Sequence, residues 1–87
     1  MLIRSQDKKS ITSCLELKIV DAFIDGKEIC TSGGKALGHY STEEKAIKVL
    51  DMIQNAYVNY QYSKWVGYER ETVIDCIFEM PQDEEVN

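Results

Sequence analysis

Histidine and proline occur once each in this 87-residue chain, and its apolar runs extend no further than a few residues. The single histidine, His39, sits between Gly38 and Tyr40-Ser41, with no carboxylate or cysteine at ligand spacing. A general base needs an orienting partner and a metal needs several ligands, so neither chemistry is indicated. The short apolar runs exclude a membrane-spanning helix, which needs about 20 residues, and Met1 to Lys9 lack the apolar stretch of a signal peptide. A cytoplasmic location is the resulting expectation. Cys14, Cys30 and Cys76 are odd in number and far apart, with no C-x-x-C pair, so they read as small, reduced, buried side chains and not as a metal site or disulfide framework. Gly33, Gly34 and Gly38 match neither phosphate-loop spacing, and hairpin turns account for them.

Positive charge is scarce too. The net charge is −5, and residues 1–60 are balanced at eight acids and eight bases. The whole imbalance falls in residues 61–87, where Glu69, Glu71, Asp75, Glu79, Asp83, Glu84 and Glu85 face only Lys64 and Arg70. Without a cluster of Lys and Arg to meet phosphates, direct nucleic-acid binding is not expected, whereas a basic protein surface would be complementary.

What is present is the patterning of one small α+β domain. A chain this short buries only about 60–65% of its unfolded surface, which favours self-association into a homo-oligomer. Residues 1–81 are expected to form the domain, and Gln82–Asn87 a frayed acidic tail after Pro81. Leu2–Ser5 and Ser10–Cys14 read as strands around the polar turn Gln6-Asp7-Lys8-Lys9. Leu17–Ile24 is a stronger strand ending at Asp25-Gly26, a pair suited to a two-residue type I′ turn. That turn would set Ile24 opposite Lys27, Ala22 opposite Ile29 and Val20 opposite Thr31. Lys35–Tyr40 supplies a further strand. Ser41-Thr42-Glu43-Glu44 is a capping-box pattern that starts a helix running to about Tyr60. Its apolar stripe is Ala46, Ile47, Leu50, Ile53, Ala56, Tyr57 and Tyr60, with Val49 and Met52 on its flank. Val73–Met80 closes the sheet with Ile74, Cys76, Phe78 and Met80 facing inward. The expected architecture is an antiparallel sheet of five or six short strands on one long helix, with a closing C-terminal strand. Its core would draw on Val20, Leu50, Ile53 and Ile77 or Phe78.

Candidate binding residues come from an aromatic segment. Asn59–Thr72 reads as a tyrosine-rich connection, and Tyr57, Tyr60, Tyr62, Trp65 and Tyr68 contain four of the five tyrosines and the only tryptophan, with Lys64 and Arg70 interleaved. Aromatic faces stack on bases, and neighbouring cations neutralise phosphate. Tyr62, Trp65 and Tyr68, with Arg4 or Arg70 as anion partner, are therefore the candidate ligand-binding set. The competing reading is a packed core and subunit interface, where Tyr and Trp are enriched. No catalytic residue, metal ligand or cofactor is indicated.

Across nearly its full length the chain resembles a family of small phage and prophage proteins of Gram-positive bacteria. The marks are Leu2-Ile3-Arg4-Ser5-Gln6-Asp7-Lys8, Leu37-Gly38, Tyr40-Ser41-Thr42-Glu43-Glu44-Lys45-Ala46, Val49-Leu50-Asp51-Met52-Ile53, Ala56-Tyr57 and Phe78-Glu79-Met80-Pro81 with Asp83 and Val86. It departs from the family pattern at Thr12-Ser13-Cys14, where asparagine is common, and at Glu79, where glutamine is common. The resemblance carries no catalytic residues. It implies a non-enzymatic accessory protein in the host cytoplasm that counters bacterial defence. One mode is a sponge that sequesters a nucleotide immune signal, which would use the aromatic and cationic set. Another is an acidic anti-CRISPR inhibitor that binds a Cas effector through the last third of the chain. A third is structural or regulatory binding to a phage or host protein. The sponge is favoured here, because acids on a flexible tail make a poor rigid mimic.

Overall fold

The β-like runs become six short strands among the described residues: β1 (Leu2–Arg4), β2 (Ile11–Ser13), β3 (Leu17–Asp21), β4 (Lys27–Thr31), β5 (Ala36–Tyr40) and β6 (Ile77–Glu79). A single helix, α1 (Glu43–Trp65), follows β5, and one turn of 3-10 helix over Asp83–Glu85 follows β6. The computed structural model describes residues 1–13, 16–23, 25–65 and 77–87, with α1 side chains described through residue 59. Cys14, Cys76 and the first part of the expected closing strand, residues 73–76, lie outside them.

The α+β class stands, with α1 packed on a sheet of short strands. The strands divide, however, into two three-stranded sheets, β2-β1-β6 and β3-β4-β5. The second is an antiparallel meander covered by α1. In the first, β1 pairs antiparallel with β2 but parallel with β6. Parallel neighbours need a long crossover, and here nearly the whole chain lies between the two strands.

The β3–β4 hairpin corrects the expected turn. Type I′ geometry needs positive φ at both Asp25 and Gly26, and only Gly26 has it, at 96°. With Asp21 paired to Lys27, five residues separate the two strands, and the Ala22 amide donates to the Gly26 carbonyl at 3.0 Å. Asp21 now pairs with Lys27 and Ile19 with Ile29, a shift of three residues from the expected register. An odd shift exchanges the faces of a strand. Leu17 and Ile19 therefore pack against the core in place of Val20 and Ala22. Gly26 has no substitute: a Cβ there would sit 2.5 Å from the Tyr40 carbonyl oxygen.

A second correction concerns the helix cap. Thr42, not Ser41, caps α1, its Oγ1 accepting from the Lys45 amide at 3.2 Å. Ala46 N–H to the Thr42 carbonyl starts the helical ladder, and Glu43 and Glu44 lie in the first turn, where the helix dipole favours acids. Along the helix Ala46, Val49 and Ile53 are buried, with Leu50 packed beside them. Val49 is thus central and not flanking, whereas Ile47 and Tyr57 are exposed. The helix also runs through Trp65, five residues beyond the expected end, so residues 59–65 are helical and not part of a connection.

Ile29, Leu37 and Tyr40 from the α1-covered sheet join Ile3, Met80 and Val86 in the same core. Phe78 packs against it, but Ile77 faces outward, as the alternation of the closing strand requires. A bulge between Ile29 and Cys30, opposite Leu37, lets consecutive Leu37 and Gly38 both turn inward. Tyr40 lies across Gly38, where a Cβ would come within 3.0 Å of the tyrosine ring and of the Met80 methyl group. Burying one such large side chain stabilises by roughly 1.5–3 kcal/mol.

Gln6 joins the two sheets. Its backbone amide donates to the Leu37 carbonyl at 2.7 Å. Its side-chain amide accepts from the His39 N–H at 2.8 Å and donates to the His39 carbonyl at 3.1 Å, as a neighbouring strand residue would. The turn presenting Gln6 is held by Ser5, whose buried hydroxyl donates to Asp7 at 2.6 Å and accepts from the Ser10 amide at 3.2 Å.

Candidate functional site

The acidic C-terminal segment is built into the fold. Tyr40 Oη donates to the Pro81 carbonyl at 2.7 Å, and Gln6 Nε2 donates to the same oxygen at 3.0 Å. Gln82 Nε2 in turn donates to the Gln6 carbonyl at 2.9 Å. The Gln82 amide is capped by Glu85 Oε1 at 2.8 Å, which closes the 3-10 turn. Val86 is buried in the core, and Lys48 Nζ donates to the Asn87 carbonyl. The expected frayed tail over Gln82–Asn87 is therefore corrected. Its charge hid one apolar side chain, Val86, and two polar ones, Gln82 and Asp83, with partners on other elements.

Asp83 is the hub of this end. Its Oδ1 accepts from the Ser41 amide at 2.8 Å and the Ser41 hydroxyl at 3.2 Å. Lys45 Nζ lies 3.4 Å from Oδ2 and donates to the Asp83 carbonyl at 3.1 Å. The Ser41 amide bond first, and then the hydroxyl and Lys45, hold the Asp83 carboxyl below its ordinary value of 3.8. The phenol of Tyr40 moves the other way, raised by burial and then by the nearby Asp83 and Glu85 charges. Around this hub Glu43, Glu44, Glu84 and Glu85 are exposed. The result is a carboxylate-rich edge with a fixed backbone where the helix start meets the C-terminal turn.

Of the candidate ligand-binding set, Arg4 is on β1 and Tyr62 and Trp65 are on α1. Arg4 lies on β1, its Nε donating weakly to the Lys8 carbonyl at 3.4 Å, and it pairs across the sheet with Glu79 of β6. Lys8 Nζ binds the same Glu79 at 2.6 Å, so Arg4 stands beside a carboxylate that opposes anion binding. The Lys8 bond, and more weakly Arg4, keep the Glu79 carboxyl below its ordinary value. Tyr62 and Trp65 belong to the last turns of α1, and Tyr68 and Arg70 lie outside the described residues.

Other candidates have structural partners. His39 Nε2 meets the Asp25 carbonyl and, since a carbonyl only accepts, carries the proton there. This bond pins the β3–β4 loop, together with the Lys27–Asp21 ion pair. Cys30 is a free, buried thiol whose pKa is raised chiefly by burial. Among the described residues no group of three His, Cys, Asp or Glu side chains could hold a metal, and no helix is long and apolar enough to cross a membrane.

No family model matches the chain, and no curated protein or solved structure matches it.

Proposed function

We propose that this chain is a non-catalytic phage accessory protein that counters bacterial defence by occupying a partner, with no substrate turned over. The partner in this reading is the basic, nucleic-acid-binding surface of a defence effector of the Cas type, met by the carboxylates of Glu43, Glu44, Glu84 and Glu85. The observation that carries it is the Asp83 hub, which ties the acidic turn to Ser41 and Lys45. Carboxylates on a fixed support keep the spacing a phosphate mimic needs, whereas a frayed tail loses ordering entropy on binding. Opposite charge also accelerates encounter and makes binding weaken with salt.

A second reading, sequestration of a nucleotide immune signal by Tyr62, Trp65, Tyr68 and Arg70, is favoured by the continuation of α1 through Trp65, which gives two of the aromatics one helical support. The opposition of Glu79 to Arg4 counts against Arg4 as its anion partner.

One experiment separates them. The protein is titrated into a Cas nuclease–DNA binding assay and, in parallel, into calorimetry with cyclic di- and trinucleotides and ADP-ribose derivatives. Loss of DNA binding, relieved by added salt and without heat from the nucleotides, supports the acidic reading. Heat with one nucleotide and an unaffected nuclease supports sequestration and overturns it.

A further inference from the structure

The outer face of the β2-β1-β6 sheet is made of six residues in two rows, set by the strand register: Ser13, Leu2 and Ile77 in one, and Ile11, Arg4 and Glu79 in the other. A sheet with one face packed and the other solvated is expected to show polar residues to water. Here Leu2 is 40% exposed, Ile77 45% and Ile11 50%, so half of the face is apolar. Of the remaining positions Ser13 is neutral, and Arg4 and Glu79 carry opposite charges side by side, Glu79 also bound by Lys8 from the adjoining turn.

That pairing makes the face complementary to itself. Stacked sheets align their strands within about 30° at about 10 Å separation. A two-fold axis running between β1 and β6, parallel to both, places the β1 of one copy over the β6 of the other. Because Leu2 is in register with Ile77 and Arg4 with Glu79, this operation sets Leu2 on the second copy's Ile77 and Arg4 on its Glu79, each contact made twice. Neither like charges nor a charge against an apolar side chain meet on these two strands. From this register and charge pattern we infer that the outer face of the β2-β1-β6 sheet is a homodimer interface, joined through Leu2, Ile77, Arg4 and Glu79. Three-residue strands offer much less than the roughly 800 Å² per partner of a standard interface, so association is weak and concentration-dependent. The dimer face and the acidic end use different residues, so either can fail alone.

The test is sedimentation velocity on the full chain from low micromolar to near-millimolar concentration, with Arg4→Glu, Glu79→Arg and their equimolar mixture. The parent is expected to shift towards dimer as concentration rises. Each variant alone sets like charges face to face and should dimerise at least about tenfold more weakly. In the mixture the acidified face of one variant meets the basic face of the other, so a heterodimer should return, followed by a fluorescent label on one variant. Leu2→Gln, which leaves the charges intact, should also weaken the dimer, and far-ultraviolet circular dichroism checks that every variant is folded. A parent that stays monomeric near millimolar concentration overturns the inference. So do folded variants that dimerise like the parent, or a mixture of folded variants that stays monomeric.

Discussion

The two ends of α1 are built in different ways. At the first end, Thr42 caps the helix, Lys45 and Lys48 reach the C-terminal segment, and Ala46, Val49 and Ile53 are buried. Further along, Tyr57, Val58 and Asn59 are all exposed, and the helix continues to Trp65. Helical stability in proteins comes mostly from a packed face and not from propensity, so the first end anchors the fold. The far end keeps its regular backbone without the same burial, at least through residue 59. Each candidate function draws on one of these ends, the carboxylates on the first and the aromatics on the second.

Substitutions that hollow the first end should separate it most from the second. Ile53→Ala should cost about 2–5 kcal/mol in urea unfolding, against no more than about 0.5 kcal/mol for Val58→Ala one turn further on. Equal costs would mean that Val58 is not exposed. Val86→Ala should cost about 1.5 kcal/mol, since two methylene equivalents leave the core. A change within error would put the segment back in solvent. Removing the cap with Thr42→Ala should cost about 1 kcal/mol, whereas Ser41→Ala, which removes only the hydroxyl contact to Asp83, should cost less. The reverse order would restore Ser41 as the cap.

Acid should act at the first end with a defined sign. The folded carboxyl of Asp83 lies below its ordinary value of 3.8, so its contribution is complete above that value and is lost as pH falls through the lower, folded one. Asp7, Asp21 and Glu79 behave alike, each held down first by a side-chain hydrogen bond, from Ser5, Lys27 and Lys8 respectively. Stability should therefore fall below about pH 4, and Asp83→Asn should flatten part of that slope in a urea series taken at stepped pH. An unchanged slope would show that Asp83 gains nothing from Ser41 and Lys45.

The helix, the Ala46, Leu50 and Ile53 part of its stripe and the Phe78–Met80 end of the closing strand were legible because each is a local periodicity, whereas Ile47 and Tyr57 share the spacing but are exposed. The cap was off by one because Ser41 and Thr42 are chemically equivalent, and only Asp83, far along the chain, decides which hydroxyl is free for the helix. The β3–β4 register depended on the φ of Asp25, which the Asp-Gly pair does not fix. The division into two sheets rests on pairing between the first and last strands, and the role of Gln6 rests on a side chain reaching across 33 positions to His39. Neither leaves a mark in local sequence. Of the candidate site, the acids and aromatics were visible as composition. That the acids stand on a pinned turn was not, because charge near a chain end looks the same whether the backbone is held or free.

The most direct test of the acidic reading compares two variants in the nuclease–DNA competition assay. Glu43→Gln/Glu44→Gln/Glu84→Gln removes three exposed charges and leaves Asp83 in place, and Trp65→Ala removes the aromatic at the other end of the helix. The charge variant is expected to lose competition and Trp65→Ala to compete like the parent. Full competition by the charge variant, with loss on Trp65→Ala, would contradict it.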